Sequence, residues 1–256
     1  MNPSCTPLVS IVMPAYNCGP VLGASVESVR AQTYTHWELL IIDDASTDDT
    51  WELMQALAAP DARIRIFQNP GNYGTGKTRN LGVEKAAGDW VAFLDSDDLW
   101  RPDKLEKQVR LLREHPEGRL FFTGSGFITA DGRPMDYVLQ IPKRISFHKL
   151  LKQNLISCSS VLAAKESLRK YPMPEQKNIH EDFTVWLRIL KEEPCAFGIN
   201  EPLLLYRKSA SSKSGNKGKA ALMNWNTYCF IGLPFFQKVY YMAWYTILGL
   251  KKYSHL

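Results

Sequence analysis

Four short apolar runs, at residues 8–13, 39–42, 64–67 and 90–94, punctuate the first half of the chain, with a helix-length segment between each and the next. Such runs, continuous in apolar and β-branched residues, suit strands buried on both faces and are too short for helices. The intervening segments carry apolar residues at helical spacing. Leu22, Val26 and Val29 mark the first, Leu53 and Leu57 the second and residues 75–87 the third, while Leu105, Val109 and Leu112 mark a fourth opened by Pro102. Pro14 is expected to break the first strand, and Ser46 or Thr47 to cap the second helix, whose N-terminal dipole Asp48 and Asp49 favour. Strands alternating with helices of this length form βαβ units, so the sequence predicts an α/β fold around a parallel sheet. A chain of 256 residues can bury a full core as one domain, or one domain with an appendage, and 45% apolar against 22% charged residues marks it as globular.

The fourth run stops abruptly in Asp95-Ser96-Asp97-Asp98. Carboxylates at the carboxyl mouth of a buried strand stand at the sheet edge where α/β proteins bind ligands. Two or three hard oxygen ligands in an open loop suit Mg2+ or Mn2+, with water and a substrate phosphate completing the coordination. The plain alternative is an acidic turn, since Asp and Ser are ordinary turn residues. The second run ends in the same way, in Asp43-Asp44.

The second half is more mixed. Strands are expected at residues 120–129 and 159–163, a turn at Ala130-Asp131-Gly132, a short helix at 146–154, and a helix at 182–192 with Phe183, Trp186, Leu187 and Leu190 apolar. From Tyr206 a Lys-, Ser- and Gly-rich stretch reads as a basic loop. Residues 225–250 are densely aromatic, but Pro234 and Gln237-Lys238 deny them the uninterrupted apolar length of a membrane helix. With Lys251-Lys252 they suit the headgroup boundary of a bilayer, or a helix pair folded onto the domain. The net charge of +5 is mild and gathered after Tyr206, which excludes a nucleic-acid binder and fits anionic ligands or a membrane surface. Five scattered cysteines without CxxC spacing indicate neither zinc nor a disulfide framework, and no signal-peptide pattern opens the chain, so the expected compartment is the cytoplasm.

Residues Gly71-Asn72-Tyr73-Gly74-Thr75-Gly76-Lys77-Thr78 match the P-loop pattern letter for letter, which raises the alternative of a nucleotidase. A P-loop needs a strand running straight into the glycine turn, so that amides at the helix start wrap the phosphates. Here Gln68-Asn69-Pro70 intervene and Pro70 removes an amide, while Asp43-Asp44, Asp97-Asp98 and Glu181-Asp182 are left unexplained.

Another reading uses all of them. Residues 9–17 (Val-Ser-Ile-Val-Met-Pro-Ala-Tyr-Asn), Gln32-Thr33-Tyr34, Trp37-Glu38-Leu39, Ile42-Asp43-Asp44-Ala45-Ser46, Arg79-Asn80-Leu81-Gly82, Gly88-Asp89-Trp90 and Phe93 through Asp98 occur in the order found in family 2 glycosyltransferases, which the chain resembles over about residues 8 to 208. The resemblance implies a GT-A fold, with one mostly parallel, doubly wound sheet. It divides residues 1–220 into a nucleotide-sugar half (1–115) and an acceptor half (116–220), leaving residues 221–256 as an aromatic helical extension that can associate with a membrane. It implies a nucleoside-diphosphate sugar donor, Mn2+ or Mg2+, and inversion at the anomeric carbon. By the same resemblance Asp97 is the metal ligand, Asp95 lies nearer the ribose and donor sugar with Ser96 beside it, and Asp98 assists. Asp44 bonds the uracil of UDP, Pro14, Tyr16 and Asp43 line its pocket, and Lys77 and Arg79 face the diphosphate. Asp182 is the general base, Glu181 orients it or the acceptor, and Arg188 braces their helix. Each also has a plain reading: turn or helix capping for Asp43, Asp44, Glu181 and Asp182, and a solvated helix charge for Lys77 or Arg79. Ser157-Cys158-Ser159-Ser160-Val161 and Tyr206-Arg207 resemble bacterial members that build surface polysaccharide (O-antigen, capsule or teichuronic acid). The expected reaction is therefore transfer of a hexose, glucose first, then galactose or an N-acetylhexosamine, from UDP to an undecaprenyl-diphosphate-linked sugar. The enzyme would be cytoplasmic and peripheral on the inner membrane. A catalytically inactive membrane-binding relative is the remaining alternative.

Overall fold

The computed structural model describes residues 6–208 and 217–253; the basic stretch at 209–216 and both chain ends lie outside the described residues. Strand and helix alternate through β1 (Val9–Ala15), α1 (Gly19–Arg30), β2 (Trp37–Asp43), α2 (Thr50–Ala58), β3 (Ile64–Gln68), α3 (Thr75–Lys85) and β4 (Trp90–Phe93). These four strands pair in parallel in the order β3-β2-β1-β4. Because the runs are largely apolar, both faces of β1, β2 and β4 are core, while the edge strand β3 buries fully only Ile64. Val12, Leu40, Ile42 and Phe93 pack with Val83 of α3 on one side, and Ile11, Met13, Leu39 and Ile41 pack with Leu22, Val26 and Met54 of α1 and α2 on the other.

Pro14 does not break β1. The strand runs on to Ala15, with Pro14 opposite Ile42 of β2, whereas pairing with β4 stops at Val12 opposite Phe93. The amide that proline lacks faces the side where β4 has already ended, so no ladder bond is lost. The second helix begins after Asp49, later than the proposed caps; Thr47 instead binds Asn17, and Asp48 Oδ1 accepts the Thr50 amide at 3.1 Å.

The chain continues through β5 (Leu99–Trp100), α4 (Lys104–Glu114), β6 (Leu120–Ile128), β7 (Pro134–Leu139), β8 (Arg144–Ile145), α5 (Phe147–Lys152), one 3-10 turn (Cys158–Ser160), β9 (Leu162–Ala164), α6 (Lys165–Lys170), α7 (Glu181–Leu190), β10 (Ala196–Arg207), α8 (Lys217–Phe230) and α9 (Phe235–Tyr253). The single sheet follows the path β3-β2-β1-β4-β9-β6-β10-β5, with β7 on β6 and β8 on β10. β6 and β10 are parallel, and the three-residue β9 is antiparallel to both β4 and β6, joining the two parallel sets. The expected strand at 159–163 is thus half 3-10 turn, and Tyr206-Arg207, read as the start of a loop, end strand β10.

The C-terminal helices pack onto the α7 side. Tyr228 is fully buried and its hydroxyl donates to the Leu151 carbonyl at 2.5 Å, while Met223, Asn224, Thr227 and Ile231 are also buried. α8 therefore starts ahead of residue 221 and completes the core. α9 folds back over α5, with His148 Nδ1 2.8 Å from the Tyr241 hydroxyl. Among the described residues no helix is long and apolar enough to cross a membrane.

Candidate active site

The strand order reverses at β1, from which β2 and β3 extend to one side before the chain returns to place β4 on the other, and the carboxyl ends of β1, β2 and β4 open onto one edge. Two left-handed residues shape the loops there, Asn17 at φ 47° and Ala45 at φ 60°. Asn17 stitches the loops together, its amide donating to Ser46 Oγ at 3.0 Å and its Oδ1 accepting from the Thr47 amide at 2.9 Å. Asp43, fully buried at the end of β2, accepts from the Ser46 hydroxyl at 2.5 Å and from Gln68 Nε2 at 3.0 Å. Pro14 is buried beside it in β1, and Tyr16 projects 47% exposed at the rim.

Asp44 anchors the glycine-rich loop. Its Oδ1 accepts from Asn69 Nδ2 at 2.8 Å and the Tyr73 amide at 2.9 Å, and its Oδ2 from the Gly74 amide at 2.7 Å. Gly74 takes φ 85°, a conformation open to glycine at no steric cost, which turns its amide to the carboxylate. Amides that a P-loop would offer to a phosphate are thus given to a carboxylate of the same chain. Lys77 is exposed and stands 4.2 Å over the Tyr73 ring. The P-loop alternative has no cradle here. A carboxylate has about four acceptor positions; three on Asp44 are taken, and one on Oδ2 is open among the described residues.

The turn after β4 is held from three directions. The Asp95 amide donates to Ser159 Oγ at 3.0 Å, Ser25 Oγ of α1 donates to the Ser96 carbonyl at 2.7 Å, and Arg207 Nε of β10 donates to the Asp97 carbonyl at 2.7 Å. Asp98 points inward, 1% exposed, and its Oδ1 accepts the Arg207 amide at 2.9 Å. This placement corrects the expectation that Asp98 joins Asp95 and Asp97 in the open loop: the turn aims its side chain back into the protein, where it fastens the loop to β10. Burial, with the charges of Asp95 and Asp97, pushes the Asp98 carboxyl well above its ordinary range and raises Asp97 as well.

Arg79 is the hub of the site. It is 5% exposed, its Nη2 lies 2.5 Å from Asp95 Oδ1 and its Nη1 3.9 Å from Glu181 Oε1. Burial opposes its charge, but Asp95, Cys158, Glu181 and Asp182 outweigh burial and hold the guanidinium more firmly protonated than usual. Buried among these carboxylates, Arg79 is a link between the acids after β4 and those opening α7, not a group turned outward to a diphosphate. The His180 amide donates to Thr227 Oγ1 of α8 at 3.1 Å, fixing the start of α7. Burial and the neighbouring Glu181 raise the Asp182 carboxyl, against the pull of Arg79 and His180. Arg188 is not brought into this cluster; two turns along α7, it stacks 4.7 Å over the Tyr171 ring.

Asp95, Asp97, Glu181 and Asp182 are thus answered by two buried guanidiniums, Arg79 and Arg207, and Asp97 is raised first by burial and then by the charge of Asp95. Four acids against two cations are a donor set that fits a divalent cation. Among the described residues no three His, Cys, Asp or Glu side chains converge into a self-sufficient metal cage. Ser25 and Asn69, which position these acids, carried no motif, and Ser159 lay in a stretch read only for its acceptor-side resemblance; the place of Ser25 on the apolar face with Leu22, Val26 and Val29 hinted at a buried role.

Comparison with known proteins agrees with this geometry. The profile of Glycosyl transferase family 2 matches residues 10–171. Bacillus subtilis (strain 168) TuaG, named as a teichuronic acid biosynthesis glycosyltransferase, is 38% identical over 87% of this chain and 87% of its own. Escherichia coli WfgD, a UDP-Glc:alpha-D-GlcNAc-diphosphoundecaprenol beta-1,3-glucosyltransferase, is 34% identical over 96% of this chain and 95% of its own. Staphylococcus aureus TarS 1-349 with UDP-GlcNAc superposes with a TM-score of 0.74 at 17% identity, covering 93% of this chain and 71% of that one, and the chain spans 42% of a longer TarS chain. Mannosyltransferase PcManGT from Pyrobaculum calidifontis, solved with GDP-Man and Mn2+, has a TM-score of 0.70 at 20% identity over 90% of this chain and 65% of its own. At those identities the two structures establish the fold, a GT-A sheet, and the sequence matches establish more: the chain belongs to glycosyltransferase family 2.

Proposed function

We propose that this glycosyltransferase moves a hexose, glucose in the first instance, from UDP to a sugar carried on a lipid diphosphate, with inversion to a β linkage, in the building of bacterial surface polysaccharide. The observation that carries the reading is the Arg79 bridge, which ties the acid after β4 to the acids opening α7 at one edge of the sheet. WfgD supports the donor and the lipid-linked acceptor by its named activity.

In this reading residues 1–115 bind the donor and 116–220 the acceptor. The uracil lies between Pro14, Tyr16 and Asp43, with its N–H on the open Oδ2 position of Asp44, and Lys77 reaches the phosphates from the rim. Asp97, with Asp95, would hold Mn2+ or Mg2+; when bound, the cation offsets the charge that develops on the departing diphosphate. Ser96 and Asp95 face the ribose and donor sugar. The acceptor hydroxyl gives its proton to the Asp182 carboxylate while its oxygen attacks the anomeric carbon from the face opposite the diphosphate. The bond to the β-phosphate oxygen breaks and UDP leaves with the electron pair. A raised carboxyl is suited to this role, because a base close to the operating pH takes the proton most effectively. Glu181 orients Asp182, and Arg188 steadies α7 through Tyr171. A lipid-linked acceptor calls for peripheral association with the cytoplasmic face of the inner membrane.

The test is hydrolysis and transfer across a panel of UDP-sugars, with ATP included, in Mn2+ and in EDTA, alongside Asp97→Ala. UDP release from one sugar, abolished by EDTA and reduced at least a hundredfold in the variant, is expected. Activity that survives in Asp97→Ala sinks the metal assignment, galactose or N-acetylhexosamine turnover in place of glucose replaces the donor, and ATP turnover with silent UDP-sugars overturns the reading.

A further inference from the structure

The outer face of α9 is apolar, and none of the described residues covers it. Phe236 is 84% exposed, Ile247 57%, Tyr240 49% and Val239 48%, and with Ala243 they recur at helical spacing along one stripe. An exposed stripe of this kind needs an occupant. Charge identifies it. From Glu201 onward the chain contains no further Asp or Glu, only Lys and Arg, and between Asp136 and Glu166 the charged residues are again all basic, including Lys149 and Lys152 of α5. Lys152 Nζ lies 4.7 Å over the Trp244 ring and 5.8 Å over that of Tyr240, beside the stripe. Between α5 and α9 lies an open groove of about 590 Å³ lined by His148, Lys149, Lys152, Gln153, Leu155 and Leu248, cationic at one side and aliphatic at the other.

We propose that this groove and the α9 stripe form a docking face for a bilayer rich in anionic phospholipid, with lipid phosphates between Lys149 and Lys152 and the aromatic stripe in the headgroup boundary. A protein partner buried on this face would be expected to answer its lysines with carboxylates; a bilayer answers them with phosphates and accepts aromatic side chains without a shaped counterpart. The face also leads to the chemistry. Leu155, which lines the groove, lies in the chain two residues before Ser157 and the turn Cys158–Ser160, whose Ser159 holds the Asp95 amide. Docking here would bring the active-site edge toward the surface on which a lipid-linked acceptor is presented. The inference rests on the membrane-side reading given above and deepens it by naming the face and the lipid class.

The test is co-sedimentation of the full chain with vesicles of phosphatidylcholine alone or mixed with phosphatidylglycerol, with neither donor nor acceptor present. Binding to the mixed vesicles should exceed that to neutral ones at least tenfold. It should fall at least tenfold in Lys149→Glu/Lys152→Glu and in Phe236→Ser/Ile247→Ser, and stay unchanged in Arg110→Glu, an exposed charge on the α4 side of the sheet. All three variants change exposed or rim residues, and transfer to a short-chain soluble acceptor should persist in each, so the transferase reading is judged separately. Equal binding to both vesicle types, or full binding by the α5 and α9 variants, overturns the proposal. So does a requirement for a lipid diphosphate in the vesicle, which would make the groove an acceptor site, or self-association through Phe236 in place of vesicle binding.

Discussion

Arg79 decides how the site is charged. One guanidinium, buried and shared between Asp95 and Glu181, holds together acids whose mutual repulsion would otherwise open the edge of the sheet. Arg79→Ala leaves those carboxylates uncompensated and is expected to cost about 3 kcal/mol in stability, measured by urea unfolding, with transfer lost as well. Arg79→Lys restores charge but not a fork that reaches two partners, so it should recover stability in part and activity little. For Asp182 the sign follows from its raised carboxyl. As the proposed base it would work only when deprotonated, so kcat/KM should climb with pH through a value above the ordinary carboxylate range of about 4. Asp182→Asn should flatten that limb and lower transfer by about 10² to 10⁴ while UDP binding persists. Stability moves the other way: a carboxyl raised in the folded state contributes most below its unfolded value and loses that contribution as pH rises through the folded one. Asp182→Asn should therefore be the more stable protein at neutral pH, and a thermal melt lower than wild type would contradict this.

Elements of the first half were legible because β1 to β4 are mostly apolar and separated by helical periodicity, so local pattern and global topology agree. What escaped the sequence depended on neighbours. That Pro14 lies within β1 is evident only once β4 is known to end two residues earlier. Strand β10 was missed because its register shifts around Asn200 and Glu201, which interrupt its apolar run with polar residues. The pairs Leu99–Trp100 and Arg144–Ile145 are too short to carry a pattern at all. The acids of the site were visible as runs, but the inward turn of Asp98 and the inward role of Arg79 were not, because burial is a tertiary property. At this scale α3 offers a clean test. A Cβ on Gly82 would lie 2.3 Å from Val12 Cγ1 and 3.1 Å from Ile42 Cδ1, so the helix that carries Arg79 touches the sheet through a glycine. Gly82→Ala should destabilise by about 1–3 kcal/mol, and its displacement of α3 should reduce transfer more than the same loss of stability elsewhere.

For the molecule as a whole, α8 behaves as core and α9 as cover. Thr227 holds the His180 amide and Tyr228 reaches Leu151, so truncation at residue 224 removes supports of both α7 and α5. That truncation is expected to abolish folding or activity, whereas ending the chain at residue 234 should leave a folded enzyme active on soluble acceptors, by circular dichroism and UDP release respectively. The sheet itself contains a narrower joint. Between the parallel set around β1 and the parallel pair β6 and β10 stands β9, whose ladder to β4 consists of Trp90 with Ala164, Val91 with Ala163 and Ala92 with Leu162. Two small alanines and one leucine ask little of the strand they meet. Under the proposed division after residue 115, a graft of the second half from a relative would have to preserve these three pairs, the two pairs of Leu99 and Trp100 with β10, the tie of Arg79 to Glu181 and those of Arg207 to Asp97 and Asp98. On the proposed reading, such a joint would let a lineage exchange the sugar chains it builds while keeping the carrier it spends.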